Sequence, residues 1–223
     1  MKLEEVLVLL EQNANASRKK TLLKAGAKEP LFGVPLGFLR TLAQKVGINH
    51  ELALSLWNSK NTDARFLAVM LFDPNKLNAK TVDQMIDDVS FDQLLDDLIF
   101  RCVYLSPEKE VLEKLWYKAK EDHKRRAAWS LIVKKIGDKN LATSDYLNQL
   151  LEVIEKELVS ATPLTQWMTN RALSEIGFRY LDYTERCLSI GEKLGVYKDM
   201  MVAPGCTSAY APDWIHAVLK RGK

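Results

Sequence analysis

The 223-residue sequence has few cysteines, no long apolar run and no alternating strand pattern, and each lack removes a class of protein. Cys102, Cys187 and Cys206 are odd in number and widely spaced, so neither a disulfide framework nor a zinc site is suggested. No stretch approaches the roughly eighteen apolar residues of a membrane span. The N-terminus, Met1-Lys2-Leu3-Glu4-Glu5, has Val6 to Leu10 as its only apolar run and no small-residue cleavage site, which argues against a secretory signal. A cytoplasmic, membrane-free protein is therefore expected. Glycines such as Gly26, Gly47, Gly137 and Gly195 end helices, and none forms a GxGxxG or Walker pattern. Neither HExxH nor GxSxG occurs, and His50, His123 and His216 have no spacing that suggests a metal site or a catalytic pair. No cofactor or metal is implied.

What is present is helix. The apolar spacing and stop signals predict helices over Leu3–Gln12, Ser17–Gly26, Phe38–Val46, Asn49–Asn58, Thr62–Phe72, Thr81–Asp88 and Ser90–Leu105. A further helix is expected from Ser106, as cap with Pro107 at the first helical position, to about Lys120. Asp122–Ile136, Ser144–Val159, Thr162–Tyr180, Tyr183–Leu194 and a short Pro212–Leu219 complete the set. Three of these segments echo one another. Leu56-Trp57 leads into Asp63-Ala64-Arg65-Phe66-Leu67-Ala68, Leu115-Trp116 into His123-Lys124-Arg125-Arg126-Ala127-Ala128, and Gln166-Trp167 into Asn170-Arg171-Ala172-Leu173. Second helices begin near Thr62, Ser90, Asp122 and Thr162, roughly 30 to 40 residues apart, in the range of stacked helical repeats. The expected fold is all-α, one α-solenoid domain of antiparallel helix pairs over 1–223: capping helices over 1–30, repeats over 31–195, and an irregular tail with a short helix over 196–223.

Charge is distributed unevenly about a net value of +3. Six acids and no base lie between Thr81 and Asp97, whereas nine bases lie between Lys109 and Lys135. Lys124-Arg125-Arg126 opens a helix, where backbone N–H groups and a guanidinium converge on a phosphate; pairing of both arginines with nearby acids is the competing reading. Arg65 and Arg171 hold matching places in the other echoes. Asp92 and Asp96 are four apart and share a helix face, either as a carboxylate pair that meets a cation or as a solvated acidic face. The five tryptophans read as core rather than as stacking platforms.

Leu31-Phe32-Gly33-Val34-Pro35 with Leu39-Arg40-Thr41-Leu42-Ala43 resembles the N-terminal signature of the AlkD-type DNA alkylation repair proteins. Leu56-Trp57, Arg65-Phe66-Leu67-Ala68 and Arg125-Arg126-Ala127-Ala128 resemble its following repeats, so that the likeness runs from Leu31 to Tyr180. The resemblance implies HEAT-like repeats whose basic face holds double-stranded DNA, a monomer, and in its enzymatic members hydrolysis of the glycosidic bond of N3- and N7-alkylated purines. An alkylated purine is cationic and already a good leaving group, so such a site needs chiefly a carboxylate near the sugar where positive charge develops. Family members use an Asp for this, Trp side chains beside the lesion and an Arg on the phosphate. Arg126 falls on that arginine. The family's Trp-Asp-x-x-Asp segment reads Phe91-Asp92-Gln93-Leu94-Leu95 here, with Asp96 one place later. Phe91 is then the lesion-adjacent aromatic, and Asp96, with Asp92 second, is the catalytic candidate. A second family Trp falls near Glu175, an acid expected to repel DNA. Lys124, Arg125, Arg126, Trp129, Arg65 and Arg171 are the implied DNA contacts. Three readings stay open: an alkylpurine glycosylase, a non-catalytic binder of damaged or branched DNA, and a scaffold for a protein partner.

Overall fold

The computed structural model describes residues 1–222, and among these there are helices and no strand. The chain forms two compact units, divided between Leu112 and Glu113. In the first unit lie α1 (Leu3–Gln12), α2 (Ala16–Lys24), α3 (Leu36–Val46), α4 (His50–Asn58), α5 (Thr62–Leu71), α6 (Ala79–Asp87) and α7 (Asp92–Arg101). The division falls inside α8 (Lys109–Tyr117). The second unit holds the rest of α8, then α9 (Asp122–Ile136), α10 (Ser144–Glu157), α11 (Pro163–Arg179), α12 (Thr184–Leu194) and α13 (Ala211–Arg221).

Helix starts follow local chemistry. Asn15, Asn49, Asn61 and Asn78 each accept a backbone N–H with the side-chain oxygen, and Thr143 does the same for α10. Ser106 does not cap α8 as expected. Its hydroxyl donates to the Val103 carbonyl instead, the chain makes a 3-10 turn over Val103–Leu105, and α8 begins only at Lys109. The tail also departs from its short predicted helix, since α13 extends over Ala211–Arg221.

Each unit is organised round one largely buried helix. In the first, α5 packs against α1, α3, α4 and α7, with Ala64, Leu67, Ala68 and Leu71 fully inaccessible. In the second, α11 packs against α9, α10, α12 and α13. Trp57, Trp116 and Trp129 are core side chains, as read from the sequence. Glycine is required at Gly33 and allows a close approach at Gly177. A Cβ on Gly33, whose φ is +80°, would meet the Asn15 carbonyl oxygen and the Lys19 nitrogen at 2.5 Å. A Cβ on Gly177 would meet Ile215 Cδ1 at 2.5 Å, so α13 lies directly on α11. Asn170, itself buried, ties the approach to α13 down by donating to the Ala209 carbonyl at 2.8 Å.

Candidate nucleic-acid interface

The sequence-derived site residues form two groups, one in each unit. In the first unit, the buried stripe of α7 is Leu94, Leu95, Leu98 and Ile99. Leu95, at the place of the family aspartate, is 1 % exposed and belongs to the core. Phe91 precedes the helix and is buried edge-on to Phe66, with ring centroids 6.0 Å apart. Asp92 and Asp96 flank the stripe on one side, half-buried and each engaged in an interaction of its own. Asp97 pairs with Arg101 at 3.3 Å.

Arg65 stands in a different situation from the one its position in the echo suggests. Only 6 % of it is exposed. Its Nε donates to the Trp57 carbonyl at 3.0 Å, Nη1 to the Asp88 carbonyl at 3.1 Å, and Nη2 reaches Asp88 Oδ2 at 3.5 Å. The guanidinium also lies 4.9 Å from the Trp57 ring centroid. These contacts join the end of α4 to the end of α6 and commit the side chain to the fold. Beside it, Lys28, Lys60, Thr62, Ser90 and Phe91 line a polar cavity of about 180 Å³.

In the second unit the basic triplet opens α9. Arg125 extends to Glu157 of α10 at 3.3 Å, its Nε buried without a hydrogen-bond partner. That is the acid-pairing alternative read from the sequence, with the acid supplied by the next helix. Arg126 is 3 % exposed and its Nη1 donates to the Leu164 carbonyl at 3.5 Å. Burial lifts the Tyr197 phenol above its ordinary pKa, while the charge of Arg126 opposes the rise. Tyr197 in turn meets the Trp167 ring at 5.6 Å. Lys124 is half-buried with an interaction of its own, and Trp129 is 1 % exposed, which places its indole inside the protein.

Glu175 is not the isolated surface acid the sequence suggests. It is 5 % exposed and held on both sides along α11, by Arg171 Nε and Nη2 at 3.3 Å and by Arg179 Nε. Two guanidinium groups against one carboxylate leave this stretch of α11 with a positive balance. The charge of Glu175 is thus paired from within its own helix.

Two aspartates that are barely marked in the sequence hold the arginine-bearing helices in place. Asp63 on α5 accepts the backbone N–H groups of Phe32, Gly33 and Val34 at 2.7 to 2.9 Å. Asp122, at the start of α9, accepts from the Thr162 hydroxyl, from the Leu164 and Thr165 backbone at 3.0 and 2.9 Å, and from the Thr165 hydroxyl at 2.7 Å. Burial raises the pKa of Asp122, but these hydrogen bonds together outweigh it and hold the carboxyl below its ordinary value. Their only sequence signal is an acid in the first turn of a second helix. Among the described residues no group of three His, Cys, Asp or Glu could hold a metal, and no helix is long and apolar enough to cross a membrane.

A solved structure described as a new family of proteins related to the HEAT-like repeat DNA glycosylases, with affinity for branched DNA structures, superposes with a TM-score of 0.87. It shares 24% identity, covers 100% of this chain and 95% of its own, and establishes the HEAT-like all-α repeat fold. An uncharacterized protein of Listeria innocua is 24% identical over 195 residues, 85% of this chain and 83% of that protein. One of Listeria monocytogenes is 23% identical over the same shares. The family model described as DNA alkylation repair enzyme matches residues 6–202, nearly the whole chain, and the protein belongs to that family.

Proposed function

We propose that the protein is a DNA-binding member of this family that grips the phosphate backbone without excising bases. The observation that carries the reading is an asymmetry. The arginine position of the family motif is kept in Arg126, whereas the carboxylate position holds Leu95, turned into the core of α7 and 1 % exposed. A backbone contact needs only a positioned guanidinium. Hydrolysis of a glycosidic bond needs a negative charge beside the sugar. Lys124 on α9 and the Arg171–Glu175–Arg179 row on α11 supply the positive face in this reading, with Arg126, 3 % exposed, at its floor, and the protein acts as a monomer on duplex arms.

Branched DNA is the favoured substrate, because the solved structural neighbour has affinity for branched structures. Recognition would then come from shape and backbone rather than from bases. The test compares affinity for a four-way junction and a linear duplex over a salt series, alongside release of 3- and 7-methylpurines from methylated DNA. Tighter, salt-dependent junction binding with no base release is expected. Base release that disappears in Asp96→Asn or Asp92→Asn would restore the glycosylase reading, and absence of salt-dependent binding would remove DNA altogether.

A further inference from the structure

A cavity of about 350 Å³ opens in the second unit, lined by no residue of the basic triplet or of the α11 row. Its walls are helices α8 and α10 and its floor is Ile132 of α9. Tyr146, Gln149, Leu150 and Val153 come from α10 at a spacing of three, one and three residues, which is one helix face. Glu113, Lys114, Tyr117 and Lys118 come from the opposite wall. The volume and the mostly apolar lining with a few polar groups match a small-molecule site.

The polar groups are not equivalent. Glu113 is already neutralised by Lys135 at 2.9 Å. The Tyr117 phenol, its pKa raised by burial and by the nearby Glu157 carboxylate, is a poor candidate for an anion. The Tyr146 hydroxyl is buried and has no protein partner. A phenol in that position is worth a hydrogen bond to whatever enters, since buried polar groups are ordinarily satisfied. At the mouth, Lys114 and Lys118 are exposed, four residues apart, and neither is paired with a carboxylate among the described residues. The cavity thus offers an apolar floor, an unsatisfied phenol buried in its wall and two exposed cations at the rim.

We propose that this cavity binds a compact amphipathic carboxylate. Its apolar body lies against Ile132, Leu150 and Val153, a carbonyl or ring oxygen accepts from Tyr146, and its carboxylate sits between the ammonium groups of Lys114 and Lys118. None of these side chains belongs to the proposed DNA contact, so failure here leaves that reading standing.

The probe is coumarin-3-carboxylate, a fluorescent fused ring with one carboxylate and a ring carbonyl, titrated by anisotropy against the full chain. Saturable one-to-one binding is expected. Tyr146→Phe should weaken it about five- to tenfold, the loss of one hydrogen bond. Lys114→Gln with Lys118→Gln should weaken it and remove its salt dependence, and the probe's uncharged ethyl ester should bind wild type with the same weakness. Val153→Trp, at a half-buried wall position, should fill the cavity and abolish binding, with circular dichroism melts confirming that each variant folds. No saturation at millimolar probe, equal affinity in Val153→Trp, or equal affinity of acid and ester would each overturn the proposal.

Discussion

Glu175 and Arg179 face each other one turn apart on α11, with Arg179 Nε donating to Glu175 Oε2, and Arg171 holds the same carboxylate from the preceding turn. An acid that sequence comparison sets against DNA binding is in this way enclosed by two bases.

Glu175→Gln is expected to tighten DNA binding a few-fold at low salt, because one negative charge leaves a positive row, and to have no effect at high salt where the interaction is screened. The same change should lower stability, since two guanidinium groups lose their shared anionic partner and one of its two acceptor oxygens. Anisotropy titrations at two salt concentrations and a denaturant melt check both parts. A change in affinity that persists at high salt would show that Glu175 contacts DNA directly.

Leu95→Ala is expected to cost about 2–5 kcal/mol of folding stability, the usual cost of emptying a fully buried leucine site. A residue directed into a DNA-binding surface would cost far less. Urea unfolding decides the point, and a loss under 1 kcal/mol would mean that α7 is rotated from the position described.

Arg65→Ala and Arg126→Ala are expected to separate. Arg65 ties Trp57 to Asp88, so its loss should lower stability by about 2–4 kcal/mol while DNA affinity of the folded variant stays near wild type. Arg126→Ala should weaken DNA binding evenly across sequences and reduce the salt slope by about one. Equal salt slopes in the two variants would dissolve the distinction.

Asp122 gives a pH dependence of definite sign. Its carboxyl is held below the ordinary value, so in the acid range the unfolded chain binds its proton first. The contribution is present above about pH 4, the ordinary aspartate pKa, and is lost as pH falls through the lower folded value. Thermal midpoints of wild type should therefore decline below pH 4, and Asp122→Asn should be less stable at neutral pH and decline less steeply. Parallel curves for the two proteins would assign the acid sensitivity elsewhere.

Much of this fold is legible locally. Asn49 as a cap, Gly47 and Gly195 as stops with φ of +71° and +63°, and the small apolar residues after Arg65 and Arg126 all mark where helices begin, end and bury themselves. What stays hidden is set by contacts distant in sequence. Ser106 next to Pro107 satisfies every local criterion for a helix start, yet its hydroxyl finds Val103 three residues back. Asp63 finds a loop some 30 residues earlier and Asp122 a helix start some 40 residues later. Within the candidate site, the positions of Arg126 and Leu95 can be aligned by motif. Whether a guanidinium such as that of Arg65 is open or consumed depends on Asp88, which no periodicity connects to it.

The docking of α13 has a consequence for growth of the array. Ala211 and Pro212 lie against Gly191 of α12, and Ile215 against Gly177 of α11. The outward residues Asp213, His216, Lys220 and Arg221 are exposed and mostly charged. A further helix pair stacked after α12, or a second molecule added end-on, would have to displace α13 from the very faces it occupies. This end of the repeat array is self-sealing, and extending it would mean peeling away a helix held through glycines that leave no gap.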